Sequence, residues 1–567
     1  MSRSSIQLSL MALLFGSTSL FGQDSTWKRT DSDAPYFHNI QLRDSAGRVI
    51  DPSATDPAFP DLAATCAPCH DVEAAAGGLH AGDGPDARRG EPWFLLDARS
   101  ATGLPVHHRS WPALNKPEDL GIVATNWSRI FGRHDTGGNA GTTEAASDCL
   151  VCHLAGGYDF AKRIEHLDSG DPAPVPFIAA GLIDDDGNYD TPRFGSDGRV
   201  ELELLADAGP GACLPCHTVT TLENSENPRW LHDEDIHLSA GMTCVDCHRS
   251  GIAHHIVRGY EGESRPDGVD VSSLSCRGCH MQDEGGHLGA PKPLHKGLPS
   301  FHLEEIQCTG CHSGPSPTSM GKRVWTSRAH KLGEPSQKRD PKTAPRIVSS
   351  MKRDDSGKIG PVRLAWPDGW GMLDEAGSIR PISPDLLRRP LRKALRVRAN
   401  LAEEVIAKLP SNDAREMIHT ALLQIGESIE EPGEPVFFSG GRVLGIDPAG
   451  GVREIESTFA SAVTWPISHP VRPARAAIGS GGCVDCHSNT SQWLTTAIGP
   501  TSMLPIPGAL AASSPLDENI VDGDLWRSWS LLFSGRDMGK VYFSLCALLA
   551  LSGSLLALWR SLWQEHR

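Results

Sequence analysis

Cys244-Val-Asp-Cys247-His248 decides how this chain is read, because two thiols three positions apart, followed at once by an imidazole, make up a covalent haem clamp. The thiols are spaced to add to the two vinyl groups of a c-type haem, and the adjacent imidazole turns inward to bind iron. The same pattern begins at Cys66, Cys149, Cys213, Cys276, Cys308 and Cys483. Seven covalently bound haem c groups are therefore expected. They would be held through Cys66 and Cys69, Cys149 and Cys152, Cys213 and Cys216, Cys244 and Cys247, Cys276 and Cys279, Cys308 and Cys311, and Cys483 and Cys486. The first axial ligands are then His70, His153, His217, His248, His280, His312 and His487.

Random placement of 15 Cys and 24 His over 567 residues gives about 0.02 such strings, so coincidence is excluded. Zinc sites or a disulfide framework would also use paired cysteines. Neither gives a reason for His to follow the second Cys every time, and zinc would need two such knuckles to meet at each metal. Fourteen of the fifteen cysteines lie in clamps, and the remaining one, Cys546, stands in an apolar C-terminal stretch where a buried, inert thiol is expected.

Apolar residues make up 39 % of the chain, against 58 Gly and 42 Pro, a composition too loop-rich for a large all-protein core. Seven porphyrins would supply the missing apolar area. The fold expected is mainly α with extensive coil: short helices around a multihaem array, a small α/β insert and one C-terminal transmembrane helix. The net charge of −17 argues against nucleic acid as a partner. It fits plain solubility, and also a positively charged redox partner.

Residues 1–22 read as a signal peptide, with Arg3, an apolar stretch and small residues ending at Gly22. Residues 23–312 form a hexahaem domain with uneven clamp spacing. Residues 313–345, rich in Pro, Ser, Lys and Arg, read as a linker or strap. Residues 346–460 are a haem-free insert, expected as a helical hairpin plus a β-hairpin. The hairpin is placed on Leu401, Val405, Ile406 and Leu409, then Ser411 through Ile425, and the β-hairpin around Val436-Phe-Phe-Ser-Gly-Gly-Arg-Val-Leu-Gly. A basic run from Arg388 to Arg398 at its entrance suits either a solvated helix face or contact with propionates, lipid headgroups or an acidic partner. Residues 461–510 carry the seventh haem and 511–540 a juxtamembrane linker. Residues 541–559 hold no charge and would span about 28 Å as a helix, close to a bilayer core of about 30 Å. The tail, 560–567, opens with Arg560, which places it in the cytoplasm and the rest outside.

A second axial ligand is needed at each iron, and sixteen histidines outside the clamps precede the membrane segment. His237 and His302 stand seven and six residues before the Cys244 and Cys308 clamps. From there each can reach a neighbouring haem while its own clamp binds another. His80, His254, His295, His330 and His469 complete the expected set, and His38 is read as a surface or propionate-bonding residue. Histidine on both faces implies lower potentials than methionine on one.

Gly241-Met-Thr-Cys-Val-Asp-Cys-His248, with His237 ahead of it, resembles the haem segments of membrane-anchored multihaem c-type cytochromes. The likeness is to the superfamily of octahaem tetrathionate reductases, hydroxylamine oxidoreductases and cytochrome c-554, and it covers about half of the chain. It implies haem chemistry but carries over no catalytic residue. No Cys-x-x-Cys-Lys occurs, and no spacing singles out a tyrosine for cross-linking. Two functions follow as expectations. The first is electron transfer in a respiratory chain, from the periplasmic face of the bacterial inner membrane, with a redox protein or a quinol-oxidising membrane complex as partner. The alternative is a multihaem oxidoreductase acting on a small nitrogen or sulfur oxyanion at one five-coordinate haem.

Overall fold

A computed structural model of the chain describes residues 35–76, 93–97, 100–106, 120, 148–169, 174–217, 219–221, 235–251, 253–265, 268–281, 290–313, 324–326, 347–395, 411–502, 504 and 511–566. The signal peptide, the 401–409 helical run, His80 and His330 lie outside the described residues.

Fourteen strands stand among the described residues: β1 (Tyr36–Gln41), β2 (Trp93–Asp97), β3 (Thr102–Val106), β4 (Arg199–Leu204), β5 (Val219–Thr221), β6 (Val324–Thr326), β7 (Val348–Arg353), β8 (Ile359–Ala365), β9 (Gly369–Leu373), β10 (Ile379–Pro381), β11 (Glu434–Ser439), β12 (Arg442–Ile446), β13 (Val452–Ile455) and β14 (Val463–Pro466). They pair antiparallel in five sheets: β1-β4, β2-β3, β5-β6, β14-β8-β7 and β10-β9-β11-β12-β13. Among the described residues helix accounts for 38 % and strand for 19 %, so the fold is α/β and the expectation of a mainly α chain is overturned.

The physical reason is burial on both faces. Strand β8 buries six of its seven residues and β11 five of its six, so neither shows the polar–apolar alternation that marks a half-exposed strand. A second signal sits in the turns. Asp44-Ser-Ala-Gly-Arg, Asp184-Asp-Asp-Gly-Asn, Asp354-Asp-Ser-Gly-Lys, Asp374-Glu-Ala-Gly-Ser and Asp447-Pro-Ala-Gly-Gly repeat one pattern. In the Asp374 turn the carboxylate accepts from the amides of Ala376 and Ser378 at 2.9 and 2.8 Å. The Asp44 and Asp184 turns repeat both bonds. The glycine takes φ between +75° and +95° in all five, which a side chain would strain. Three of these turns join β7 to β8, β9 to β10 and β12 to β13, so stretches that read as coil are hairpin tips.

The insert is accordingly a β unit with two helices against it, α1 (Pro384–Ala394) and α2 (Ser411–Ser428). Leu387, Leu391 and Leu395 recur every four residues on α1 and meet Ile418, Leu422 and Ile425 of α2 over Trp370 and Phe437. Arg389 and Arg392 point away into solvent, and Arg388 pairs with Asp385 at 3.1 Å.

This unit is tied to the clamps. Gln307, just ahead of the sixth clamp, donates its amide to Ile359 O at 2.9 Å. Trp493, six residues after His487, donates to Gly310 O inside the sixth clamp at 3.1 Å. Met351, Ile359, Ile478, Trp493 and Trp526 close one apolar cluster around these segments. At the other end Leu42, Leu62, Leu150, Phe177 and Val200 pack with Cys66 and Cys149 at the edge of their cluster.

Helix α3 (Gly523–Glu565) runs 43 residues, about 65 Å. It takes in the aromatic stretch from Leu525 to Phe533 as well as the uncharged run, so the expected linker ends where the helix begins. Among the described residues it is the one helix long and apolar enough to cross a membrane. Phe543, Leu549 and Leu558 are 72, 72 and 59 % exposed, so nothing among the described residues covers the apolar span.

Candidate functional site

Six of the seven clamp imidazoles stand opposite a second imidazole at nearly one distance. His70 faces His38 with ring centroids 6.4 Å apart, His153 faces His254 at 6.0 Å and His248 faces His469 at 6.3 Å. His280 faces His237 at 6.1 Å, His312 faces His295 at 6.3 Å and His487 faces His302 at 6.2 Å. With metal–nitrogen bonds of about 2.0–2.1 Å and about 1.1 Å from each nitrogen to its ring centre, imidazoles on opposite sides of one metal ion have centroids about 6.3 Å apart. Rings stacked on each other directly would sit nearer. The remaining clamp imidazole, His217, ends the short helix Pro210–His217 beside undescribed residues.

Second nitrogens are held so that the first can face the partner ring. Nδ1 of His153 lies 2.7 Å from Leu205 O, that of His248 2.7 Å from Val257 O, that of His280 2.9 Å from Pro291 O and that of His312 3.2 Å from Arg472 O. A carbonyl can only accept, so Nδ1 carries the proton and Nε2 keeps its lone pair. Nδ1 of His302 and of His487 is buried without a hydrogen-bond partner among the described residues. Burial lowers the pKa of His248, His295, His302 and His487, favouring the neutral imidazole that a metal requires.

Partners come from other parts of the chain. His237 precedes the fourth clamp and faces the fifth, His302 precedes the sixth and faces the seventh, and His254 follows the fourth and faces the second. His38 is not the surface or propionate-bonding residue expected: β1 pairs with β4 in the register His38↔Leu202 and brings it to His70. The one sign of this in the sequence is the short β-prone run Tyr36-Phe-His-Asn-Ile. His295 does not share a helical face with His302, since only His302 lies in the helix Phe301–Glu305. His295 and His254 instead take φ of +35° and +51°, strained backbone of the kind that persists where a side chain must be aimed.

The clamps also touch one another. Thiols of neighbouring clamps come together in pairs, Cys66 with Cys149, Cys213 with Cys244 and Cys276 with Cys308. Cys247 and Cys279 are close enough to interact electrostatically, and so are Cys311 and Cys486. Counted from helix α3 the order is therefore seventh, sixth, fifth and fourth, with the third clamp against the fourth. The second is joined to the fourth through His254, and the first to the second. The seventh clamp abuts helix α3, where Trp526 Nε1 donates to Cys486 O at 2.9 Å and the Phe533 ring lies 5.4 Å from that of His487.

Asp148, immediately before the second clamp, shows how such a segment is fixed. Its carboxylate caps the amide of Val151 at 3.1 Å, accepts from Tyr158 and pairs with Arg163 at 3.0 Å, both charges being under 10 % exposed. Asp148→Ala removes the buried partner of the Arg163 guanidinium together with the Val151 cap and the Tyr158 bond, and is expected to cost about 3–5 kcal/mol. Denaturant unfolding of the two proteins checks this, and a difference below about 1 kcal/mol would contradict it.

Among the described residues no group of three or more His, Cys, Asp or Glu is arranged to hold a bare metal ion. The imidazoles come in twos, which suits a group that brings its own equatorial ligands. No family model matches the chain, nor does any curated protein or solved structure.

Proposed function

We propose that this chain is a membrane-anchored heptahaem c-type cytochrome, its soluble part on the periplasmic side of a bacterial inner membrane, passing electrons between the membrane and a soluble acceptor or donor. The supporting observation is the set of six clamp imidazoles, each with a second imidazole across a gap the width of one coordinated metal. Bound haem supplies a one-electron ferric–ferrous couple.

The chain does the rest. With two imidazoles to hold each haem, these six positions would be closed to substrate, so they suit transfer and not oxyanion chemistry. Carbonyls that hold Nδ1 fix the donor strength and ring angle of each imidazole, so little has to move when the charge changes. Touching clamp edges keep each transfer short, because tunnelling falls off exponentially with distance. Helix α3 sets the seventh clamp at the membrane end, where a quinol-oxidising complex or another redox protein would exchange electrons with it.

Haem counting by mass and low-temperature electron paramagnetic resonance test this. Seven covalent haems are expected, with low-spin iron at the six paired positions. Near-perpendicular imidazole planes give strongly anisotropic low-spin signals with one large g value. The rings of His153 and His254 cross at 88° and those of His302 and His487 at 86°, against 29° for His38 and His70. Two of the six should therefore show that signal clearly. A colourless protein, or high-spin iron at several positions, would end this reading.

A further inference from the structure

Asp235 is the most enclosed carboxylate near the paired imidazoles, its side chain 1 % exposed, and both of its oxygens are used. Oδ1 accepts from the amide of His237 at 3.0 Å and lies 3.1 Å from His237 Nδ1. Oδ2 accepts from the amide of Val471 at 2.8 Å and lies 2.7 Å from His469 Nδ1. Ile236 N donates to Val471 O at 2.8 Å, so two segments far apart in sequence are clasped at this residue. His237 faces the fifth clamp and His469 the fourth. One carboxylate thus backs the second imidazole at two neighbouring positions.

We propose that Asp235 is a positioning residue that sets the fourth and fifth haems as a low-potential pair inside the array; this rests on the haem reading above. A carboxylate behind Nδ1 draws the proton toward itself and makes Nε2 a stronger donor than a carbonyl does, which favours ferric iron. The imidazoles of His153, His248, His280 and His312 are backed by neutral carbonyls. A negative charge fixed between two irons stabilises the oxidised state of both, and burial keeps solvent from screening it. All four contacts to the Asp235 carboxylate come from nitrogens that can donate, two backbone amides and two imidazole Nδ1 atoms, the surroundings an ionised carboxylate requires. Electrons crossing the array therefore pass over a raised step in its middle.

The test is Asp235→Asn in the full-length protein, with each haem's midpoint followed by spectroelectrochemical titration. Two of the seven midpoints should rise together while the other five stay, and Asp235→Glu, which keeps the charge, should restore most of the shift. A shift at one haem, at none, or equally at all seven would overturn the assignment. If Asp235→Asn fails to accumulate, the near-infrared charge-transfer bands of the unaltered protein answer instead, since their energy follows axial donor strength. Two haems should stand apart from the rest, and a single uniform group would overturn it. Seven haems by mass without the predicted pattern refutes only the role of Asp235, whereas a protein without haem removes the underlying reading as well.

Discussion

A chain that stops after Ser534 is expected to leave the membrane fraction and remain folded in solution with all its haems. The cut removes Val541–Trp559, whose seven Leu, one Val and one Phe favour the bilayer by about 3–5 kcal/mol on an insertion scale. It spares Trp526, 6 % exposed and bonded to Cys486 O, and Phe533, packed on His487. About the first three turns of α3 thus belong to the seventh clamp, and the remainder is the span long and apolar enough to cross a membrane. Trp526→Ala in the full chain makes the opposite change: it stays with the membranes but loses a buried indole worth about 3–5 kcal/mol, loosening the seventh clamp. Fractionation followed by haem staining distinguishes the two. A truncated chain that still sediments with membranes would show that the anchor is elsewhere.

What could be read in the sequence followed the strength of the local chemistry. Seven Cys-x-x-Cys-His strings need only adjacency to be read as the proposed haem sites, because two thiols and an imidazole stand within five residues. A charge-free run of 19 residues is equally local, and it falls within α3. The second imidazoles depend on contacts between distant segments. His237, His254, His295, His302 and His469 could be chosen by their nearness to clamps, but which clamp each one faces could not, and His38 is delivered by a two-stranded sheet whose other strand lies more than 150 residues on. The β unit was hidden for a different reason. Its strands are short and buried on both sides, and the Asp-x-x-Gly turns joining them look like coil unless their recurrence is noticed. Asp235 carries no sequence signal, since its role exists only once residues 469–471 are folded against it.

Removing the fourth clamp with Cys244→Ala and Cys247→Ala should split the array into two groups that exchange electrons slowly. Cys244 touches Cys213 of the third clamp, Cys247 lies by Cys279 of the fifth, and His254, just beyond the fourth clamp, serves the second. Every described route from the membrane end to the first three clamps passes this point. With the haem gone, an electron must cross the width of a porphyrin in one step, and exponential decay with distance turns that gap into a loss of several orders of magnitude in rate. Stopped-flow reduction from a membrane-side donor should then show three fast haems, the seventh, sixth and fifth, and three slow ones. Removing the first clamp instead, with Cys66→Ala and Cys69→Ala, also leaves six haems but takes them from the far end, so reduction should stay in one phase. Comparing two six-haem proteins separates loss of a junction from loss of a haem. Single-phase reduction in both would mean that the third clamp has a route to the anchor that avoids the fourth.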